Sequence, residues 1–318
     1  MSSLVIGVDL GGTQIRVGLV REDGRVLRRE ALPTQPQEGR DAVVWRIVQL
    51  VRSVSAKVGI DEVAGVGVAA PGPVNLHSGV VRLAPNLEGW VDVPLQRLLQ
   101  EQLHTRVYLG NDANLAALGE HTFGAGRHVN DMIYITVSTG IGGGIIVGGR
   151  LLVGHNGYGA EIGHHTVADS GPRCKCGNIG CLEAVASGTA IAREGRVAIV
   201  SEEETLLREL CEGNVWKLDA RQVAEAATRG DAVARQIMHR AGHYLGVGIV
   251  NMMHIFNPQR IILGGSVMKA GRFITDPMWE VVNTRSWAIS REDFDIVEAA
   301  LGDNVGILGA AALVLRSR

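Results

Sequence analysis

The spacing of apolar and polar residues changes several times along the chain, and each change marks an element. The opening LVIGVDL is a short β-rich run closed by the turn GGT. An apolar-rich segment runs from Ile15 to Val20, and Glu22-Asp23-Gly24 turns the chain into RVLRREAL. Three such runs joined by tight turns predict an antiparallel meander. Over 41–58 the period lengthens, with Val44, Ile47, Val48, Val51 and Val54 at helical spacing. AGVGVAA, ended by Pro-Gly-Pro, predicts a buried strand. A strand over 106–109 and a helix over 111–121, with Asp112 in its first turn, follow.

A second round begins at Asp131. MIYITVS reads as a strand, TGIGGG as a turn and IIVGGRLL as a return strand and hairpin. The order strand, Gly-Thr-rich turn, strand repeats the opening and suggests two related halves. Residues 220–257 read as helical with a brief break at Arg229-Gly230, and RIILGGS as a buried strand entering a double-glycine turn. The small apolar run 305–315 predicts a helix that packs back on the first domain. The expected division is a small α/β domain over 1–118, completed by the C-terminal helix 303–318, and a larger α/β domain over 119–302.

Composition narrows the function classes. With 318 residues, 46% hydrophobic and 20% charged, the chain is an ordinary globular protein with room for two cores. A formal net charge of −2 gives no support for nucleic-acid or anionic-membrane binding. No secretion signal opens the chain and no apolar run is long enough for a bilayer, so a cytoplasmic address is expected. Four cysteines do not make a disulfide scaffold, and three of them cluster, which favours metal binding. The 42 glycines exceed the usual share of about 7% and gather beside β-rich runs, where tight turns or close backbone approach need them.

No G-x-x-x-x-G-K-[ST] motif is present. Two strand-turn-strand loops stand in its place, Asp9-Leu10-Gly11-Gly12-Thr13 and Ser138 to Gly144. In each, successive backbone N–H groups could converge on an anion, and Asp9 could hold Mg²⁺ directly or through water. Either loop alone could equally be a ligand-free hairpin. Two of them, with Gly264-Gly265 after a strand, favour phosphate binding. In Gly110-Asn111-Asp112, Asp112 is either a helix N-cap or a base for a hydroxyl nucleophile. The segment 161–183 packs Glu161, His164, His165, Cys174, Cys176, Cys181 and Glu183 together. Three thiols and an imidazole suffice for one closed zinc site, which leaves the two carboxylates for another molecule.

DLGGT, GND, STGIGGG, the E-x-G-H of 161–164 and the C-x-C-G-x-x-G-C-x-E of 174–183 resemble the ROK family of bacterial sugar kinases and sugar-responsive repressors. The resemblance covers nearly the whole chain and is greatest to the family's glucokinases. It implies an α/β, two-domain actin/Hsp70/hexokinase-like (ribonuclease H-like) ATPase fold with a zinc-stapled loop. It implies Asp112 as catalytic base and a hexose, glucose first, bound by Asn86, Asn111, Asp112, Glu161, His164 and Glu183, with a backbone contact from Gly72. It further implies a structural zinc ion on His164, Cys174, Cys176 and Cys181, with His165 a neighbouring loop residue. ATP, with Mg²⁺, would lie against Asp9, Gly11, Gly12, Thr13, Thr139, Gly140, Gly264 and Gly265. The family's dimers or tetramers imply a homo-oligomer.

Other family kinases take N-acetylmannosamine, fructose, allose or mannose, or use polyphosphate as donor, and the shared catalytic set does not separate them. The family's regulators carry an N-terminal winged helix-turn-helix, for which a first strand beginning at Leu4 leaves no expected room. Gln14 departs from the lysine that many members carry after GGT. Outside these motifs, Cys211 reads as a buried helical thiol, and His239, His243 and His254 as structural residues of a long helix. SEEET at Ser201 reads as a helix start, and the five scattered tryptophans as packing residues.

Overall fold

The computed structural model of the chain describes residues 3–84 and 86–317. The opening pattern forms the meander: β1 (Leu4–Leu10), β2 (Gln14–Arg21) and β3 (Val26–Pro33) pair antiparallel in sequence order. α1 (Arg40–Ser55) buries Val44, Ile47, Val48, Val51 and Val54. β4 (Val63–Ala70) returns parallel to β1. A small antiparallel sheet of β5 (Val74–Asn75), β6 (Val80–Leu83) and β7 (Val91–Val93), then α2 (Leu95–Leu103), lead to β8 (Val107–Asn111). β8 lies parallel to β4, which gives a main sheet of order β3-β2-β1-β4-β8. α3 (Asp112–Phe123) starts where β8 ends.

β9 (Met132–Val137), β10 (Ile141–Val147) and β11 (Arg150–Leu151) repeat the opening order. Here the sequence expectation needs correction. Only Ser138, Thr139 and Gly140 turn the chain, and Ile141 through Gly144 already belong to β10. Gly144 is glycine because of close approach: a β-carbon there would lie 2.6 Å from the Ala117 β-carbon on α3. Helices α4 (Leu182–Ala186), α5 (Gly188–Val200), α6 (Leu207–Leu210), α7 (Ala220–Thr228) and α8 (Ala232–Phe256) follow. β12 (Arg260–Gly264), α9 (Arg272–Arg285), β13 (Asp295–Glu298) and α10 (Val305–Arg316) complete the chain, and the second sheet runs β11-β10-β9-β12-β13.

SEEET does not start a helix. It follows the end of α5, with Glu202 at φ 58°, and α6 waits until Leu207. The Asp231 carboxylate accepts from the Thr205 hydroxyl and the Leu206 N–H while also capping α8, which ties this stretch down as a connector. Cys211 is buried at the end of α6, and His239, His243 and His254 lie on α8.

The chain divides into two compact units, Met1–Tyr134 with Gly144–Ala160 and Glu298–Arg318, and Ile135–Gly143 with Glu161–Val297. In the first, period-two alternation splits each strand between two cores. Ile6, Val8, Leu10, Ile15, Val17 and Leu19 face α1 and α2, whereas Val5 and Val20 face Ile307, Leu308 and Ala311 of α10. Each such fully buried aliphatic chain stabilises the fold by about 1.5–3 kcal/mol before entropy is counted. In the second unit α8 packs against α4, α5, α7 and α9. Among the described residues no helix is long and apolar enough to cross a membrane.

Candidate active site

The first unit gathers its polar residues at the carboxyl end of the parallel strands β1, β4 and β8. Asp9 pairs in register with Ala69, and Ala70 with Asn111, so Asp9 and Asn111 come to the same edge. Open α/β sheets bind ligands at this edge. Asn111 is the N-cap of α3: its Oδ1 accepts the Asn114 N–H at 3.0 Å, and its Nδ2 donates to the Gly72 carbonyl at 3.0 Å. Asp112 is therefore not the cap but the first helical residue, half-buried, with Oδ1 accepting the Ala113 N–H at 2.8 Å. Gly72 turns the chain after β4, and exposed Asn86 lies against Gly12.

The β1–β2 turn is held from outside. The Gly11 N–H donates to the Gln14 carbonyl at 3.1 Å. Thr34, fully buried, donates its hydroxyl to the Gly11 carbonyl at 2.6 Å and its N–H to the Thr13 carbonyl at 2.9 Å. Arg16, opposite Asp9 in the β-ladder, donates to its Oδ2 at 3.2 Å and to Gln14 Oε1 at 3.0 Å. Burial pushes the Asp9 carboxyl pKa above its ordinary value, and the Arg16 guanidinium opposes that shift only in part. Gly306 in the first turn of α10 faces the same carboxylate, where the partial positive charge of a helix start favours an anion.

In the second unit His164, Cys174, Cys176 and Cys181 converge, with their ligand atoms all within 4.8 Å of one another. Cys174 Sγ lies 3.5 Å from His164 Nδ1, and the Cys176 and Cys181 sulfurs are 3.6 Å apart. Thiolates placed tetrahedrally on zinc would stand about 3.8 Å apart, so the donor set fits a structural zinc ion. Burial pushes the Cys181 thiol up to about 12 and raises Cys174, whereas the Asn178 N–H lowers Cys176. A divalent cation would supply the countercharge such crowded sulfurs lack. Of the adjacent histidines, His164 faces the sulfurs and His165 turns Nδ1 toward the Ile162 carbonyl.

The two carboxylates beside this cluster differ. Glu161 precedes a 3₁₀ turn over Ile162–His164 and keeps a solvent-accessible face. Desolvation raises its pKa most; the His164 ring opposes this, and the nearby negative charge of Glu183 adds to it. Glu183, in the first turn of α4, accepts the Ile141 N–H on Oε2 at 3.0 Å. The turn before Ile141 is pinned further by Gly188 N–H on the Ser138 carbonyl, Thr189 Oγ1 on the Thr139 carbonyl and Ser266 N–H on Ser138 Oγ. Thr139 itself is exposed, and Gly140 is half-buried. Gly264 ends β12, and Gly265, at φ 96°, sits against the Val137 backbone.

The sequence-assigned residues thus divide between the two units. Asp9, Gly11, Gly12, Thr13, Gly72, Asn86, Asn111 and Asp112 belong to the first unit; Thr139, Gly140, Glu161, His164, Glu183, Gly264, Gly265 and the cysteines belong to the second. Arg16 and Thr34 escaped the sequence reading. Arg16 could have been found, because it stands two residues after Gln14 and shares its strand face. Thr34 carried no local signal.

Two glycine hairpins, an acidic strand edge and a zinc-fitting loop define a two-domain α/β protein of the actin and hexokinase kind. Residues 5–317 match the ROK family, and the chain belongs to it. It is 40% identical over 310 residues to a glucokinase of Thermotoga maritima, covering 98% of this chain and 96% of that one. The solved structure of a ROK family glucokinase from Streptomyces griseus, in complex with glucose and AMPPNP, matches with a TM-score of 0.83 at 35% identity, covering 99% of this chain and 100% of that one. A xylose repressor of Caldicellulosiruptor bescii is 32% identical, covering 98% of this chain and 78% of the repressor.

Proposed function

We propose that the chain is an ATP-dependent glucokinase, a cytoplasmic homo-oligomer of two or four copies that transfers the γ-phosphoryl group of ATP to the 6-hydroxyl of glucose. The observation that carries this reading is Asp112, fixed as the first residue of α3 by the Asn111 cap, on the strand edge that also carries Asp9. Similarity to glucokinases over almost the full chain supports the substrate pair.

In this reading Asp112 accepts the proton of the sugar 6-hydroxyl as that oxygen attacks the γ-phosphorus. The bond from phosphorus to the β,γ-bridging oxygen breaks, and ADP leaves with the electron pair. Phosphoryl transfer asks the protein for alignment, a base and countercharge rather than covalent chemistry. Asp9 would hold the Mg²⁺ that accompanies ATP, directly or through water, and that ion would supply countercharge to the phosphates. Gly11, Gly12, Thr13, Thr139 and Gly140 offer donors to the phosphates, and Gly264 and Gly265 border the adenosine. Asn86, Asn111, Glu161, His164 and Glu183, with the Gly72 backbone, match the mixed donor and acceptor character of sugar hydroxyls. A site that hydrogen-bonds each hydroxyl rejects sugars lacking one. His164, Cys174, Cys176 and Cys181 would hold a structural zinc ion, which would shape the loop and take no part in the transfer.

A coupled ADP-release assay across glucose, mannose, fructose, allose and N-acetylmannosamine, with ATP and polyphosphate as donors, tests the reading. Glucose with ATP should give the highest kcat/KM, and an absence of sugar-dependent ADP release would refute it. Asp112→Asn should lower kcat by about 10³-fold or more while glucose binding by calorimetry persists. Likeness to a repressor favours one second reading, a sugar-sensing regulator. Specific DNA retention at physiological salt without turnover would select it. Light scattering measures the oligomer.

A further inference from the structure

Glu183 does two things at once. Its Oε2 accepts the N–H of Ile141, the residue directly after the Ser138–Gly140 turn, at 3.0 Å. A β-carbon at Gly140 would stand 2.3 Å from that same oxygen. Carboxylate and turn therefore meet at two successive residues, and glycine at 140 is what lets them. The other bonds that pin the turn come from neutral groups, namely the Gly188 and Ser266 N–H groups and Thr189. A carboxylate acceptor is stronger than these by roughly twofold. Glu183 also stands two residues after Cys181, whose sulfur lies in the metal-fitting cluster and accompanies the start of α4.

We propose that Glu183 is a positioning residue for the nucleotide turn: Oε2 holds the Ile141 N–H and so fixes Thr139 and Gly140, while Oε1 is left for a sugar hydroxyl. One carboxylate then serves the cysteine motif and the phosphate-binding turn together. The proposal rests on the reading of 138–140 as a nucleotide contact.

The test is MgADP affinity measured by calorimetry in the absence of sugar, where a purely sugar-binding Glu183 would have no effect. Glu183→Ala should weaken MgADP about tenfold. Glu183→Gln, whose amide oxygen still accepts the Ile141 N–H, should recover most of that loss. Gly140→Ala, whose methyl displaces the carboxylate, should weaken MgADP similarly and add little when combined with Glu183→Ala. Thr139→Ala probes the turn itself. Metal content and thermal unfolding of every variant establish that it is folded.

If Thr139→Ala weakens MgADP while Glu183→Ala stays within about twofold of the parent, the positioning role is overturned and the nucleotide turn stands. If neither affects MgADP, the nucleotide reading of the turn falls, and the role of Glu183 falls with it. Failure of Glu183→Gln to recover affinity, or full additivity with Gly140→Ala, also overturns the proposal.

Discussion

In the β1–β2 hairpin the carboxylate belongs to the strand: Asp9 stands two residues before Gly11, paired with Arg16 and facing the first turn of α10. In the β9–β10 hairpin the corresponding place, two residues before Gly140, is Ser138. The carboxylate that reaches that turn is Glu183, supplied by α4 after the cysteine motif. The first turn is braced by Thr34, a neighbour along the meander, and the second by residues about fifty or more positions away, Gly188, Thr189 and Ser266. Similar local sequences thus depend on different parts of the chain, and each should fail for its own reason.

Between the two hairpins the largest effect should follow Asp9→Asn, which separates function from stability at the first. Burial raises the folded pKa of Asp9, so its protonated form is the one the fold favours. The sign follows from linkage: that contribution is present at low pH and is lost as pH rises through the folded pKa, so the charge destabilises the protein at neutral pH. The neutral amide should leave Tm equal or higher, while kcat/KM falls by about 10²–10³-fold through lost metal and phosphate interaction. Thermal unfolding and steady-state kinetics check both halves. A drop in Tm with intact activity would reverse the assignment.

Metal removal should act on the other hairpin. Chelation takes away the countercharge of three crowded thiols, and the loop from His164 to Cys181 loses its staple. Amide exchange should then quicken at 164–183 and at 138–141, which Glu183 connects, before it quickens at 4–21. Glucose and MgADP affinities should weaken together. Equal protection of both hairpins in metal-free protein would show that the cysteine motif and the second turn are independent.

A smaller effect is expected from Thr34→Ala. It removes one buried hydroxyl bond to the Gly11 carbonyl, worth about 1 kcal/mol, with some further loss from the acceptor left behind. The KM for ATP should rise severalfold and glucose affinity should hold. A change in glucose affinity alone would break the link between Thr34 and the phosphate turn.

What was legible in the sequence follows the same division. The meander, α1, β4 and α10 could be read because their apolar periods agree with their burial: Ile6, Val8 and Leu10 share one face, and Val44, Ile47, Val48 and Val51 share another. The cluster of His164 with three cysteines could be read because short spacing and residue type carry the chemistry, and so could the place of Asp112 in the first turn of α3. The extent of β10 could not, because a glycine run signals a turn and close packing equally well; only Gly144 against Ala117 decides it. SEEET had the composition of a helix start, but Asp231, some thirty positions away, binds the Thr205 hydroxyl and the Leu206 N–H. Thr34 and the second role of Glu183 escaped for the same reason. Each acts through one hydrogen bond to a backbone that the sequence does not place beside it.

The smallest effect concerns pH and reaches the first hairpin through α10. His121 on α3 donates from Nε2 to the Val129 carbonyl at 2.8 Å and accepts on Nδ1 from Arg316 at 2.6 Å, so the ring is held neutral. Burial lowers its pKa below 6.5, and the Arg316 charge lowers it further. For a base with a depressed folded pKa, the unfolded chain binds more protons as acid is added. The stability it contributes is therefore present above about 6.5 and is lost as pH falls from there through the folded value. Protonation also sets imidazolium against guanidinium at the last turn of α10, the helix whose first turn carries Gly306 against Asp9. Between pH about 7.5 and about 5.5 the parent should lose on the order of a degree or two of Tm more than His121→Gln does. Exchange at 9–13 should respond and exchange at 138–141 should not, since no titrating histidine bonds the second turn among the described residues. Matching pH slopes for the parent and His121→Gln would remove His121 from the account and leave the two hairpins distinguished by their carboxylates alone.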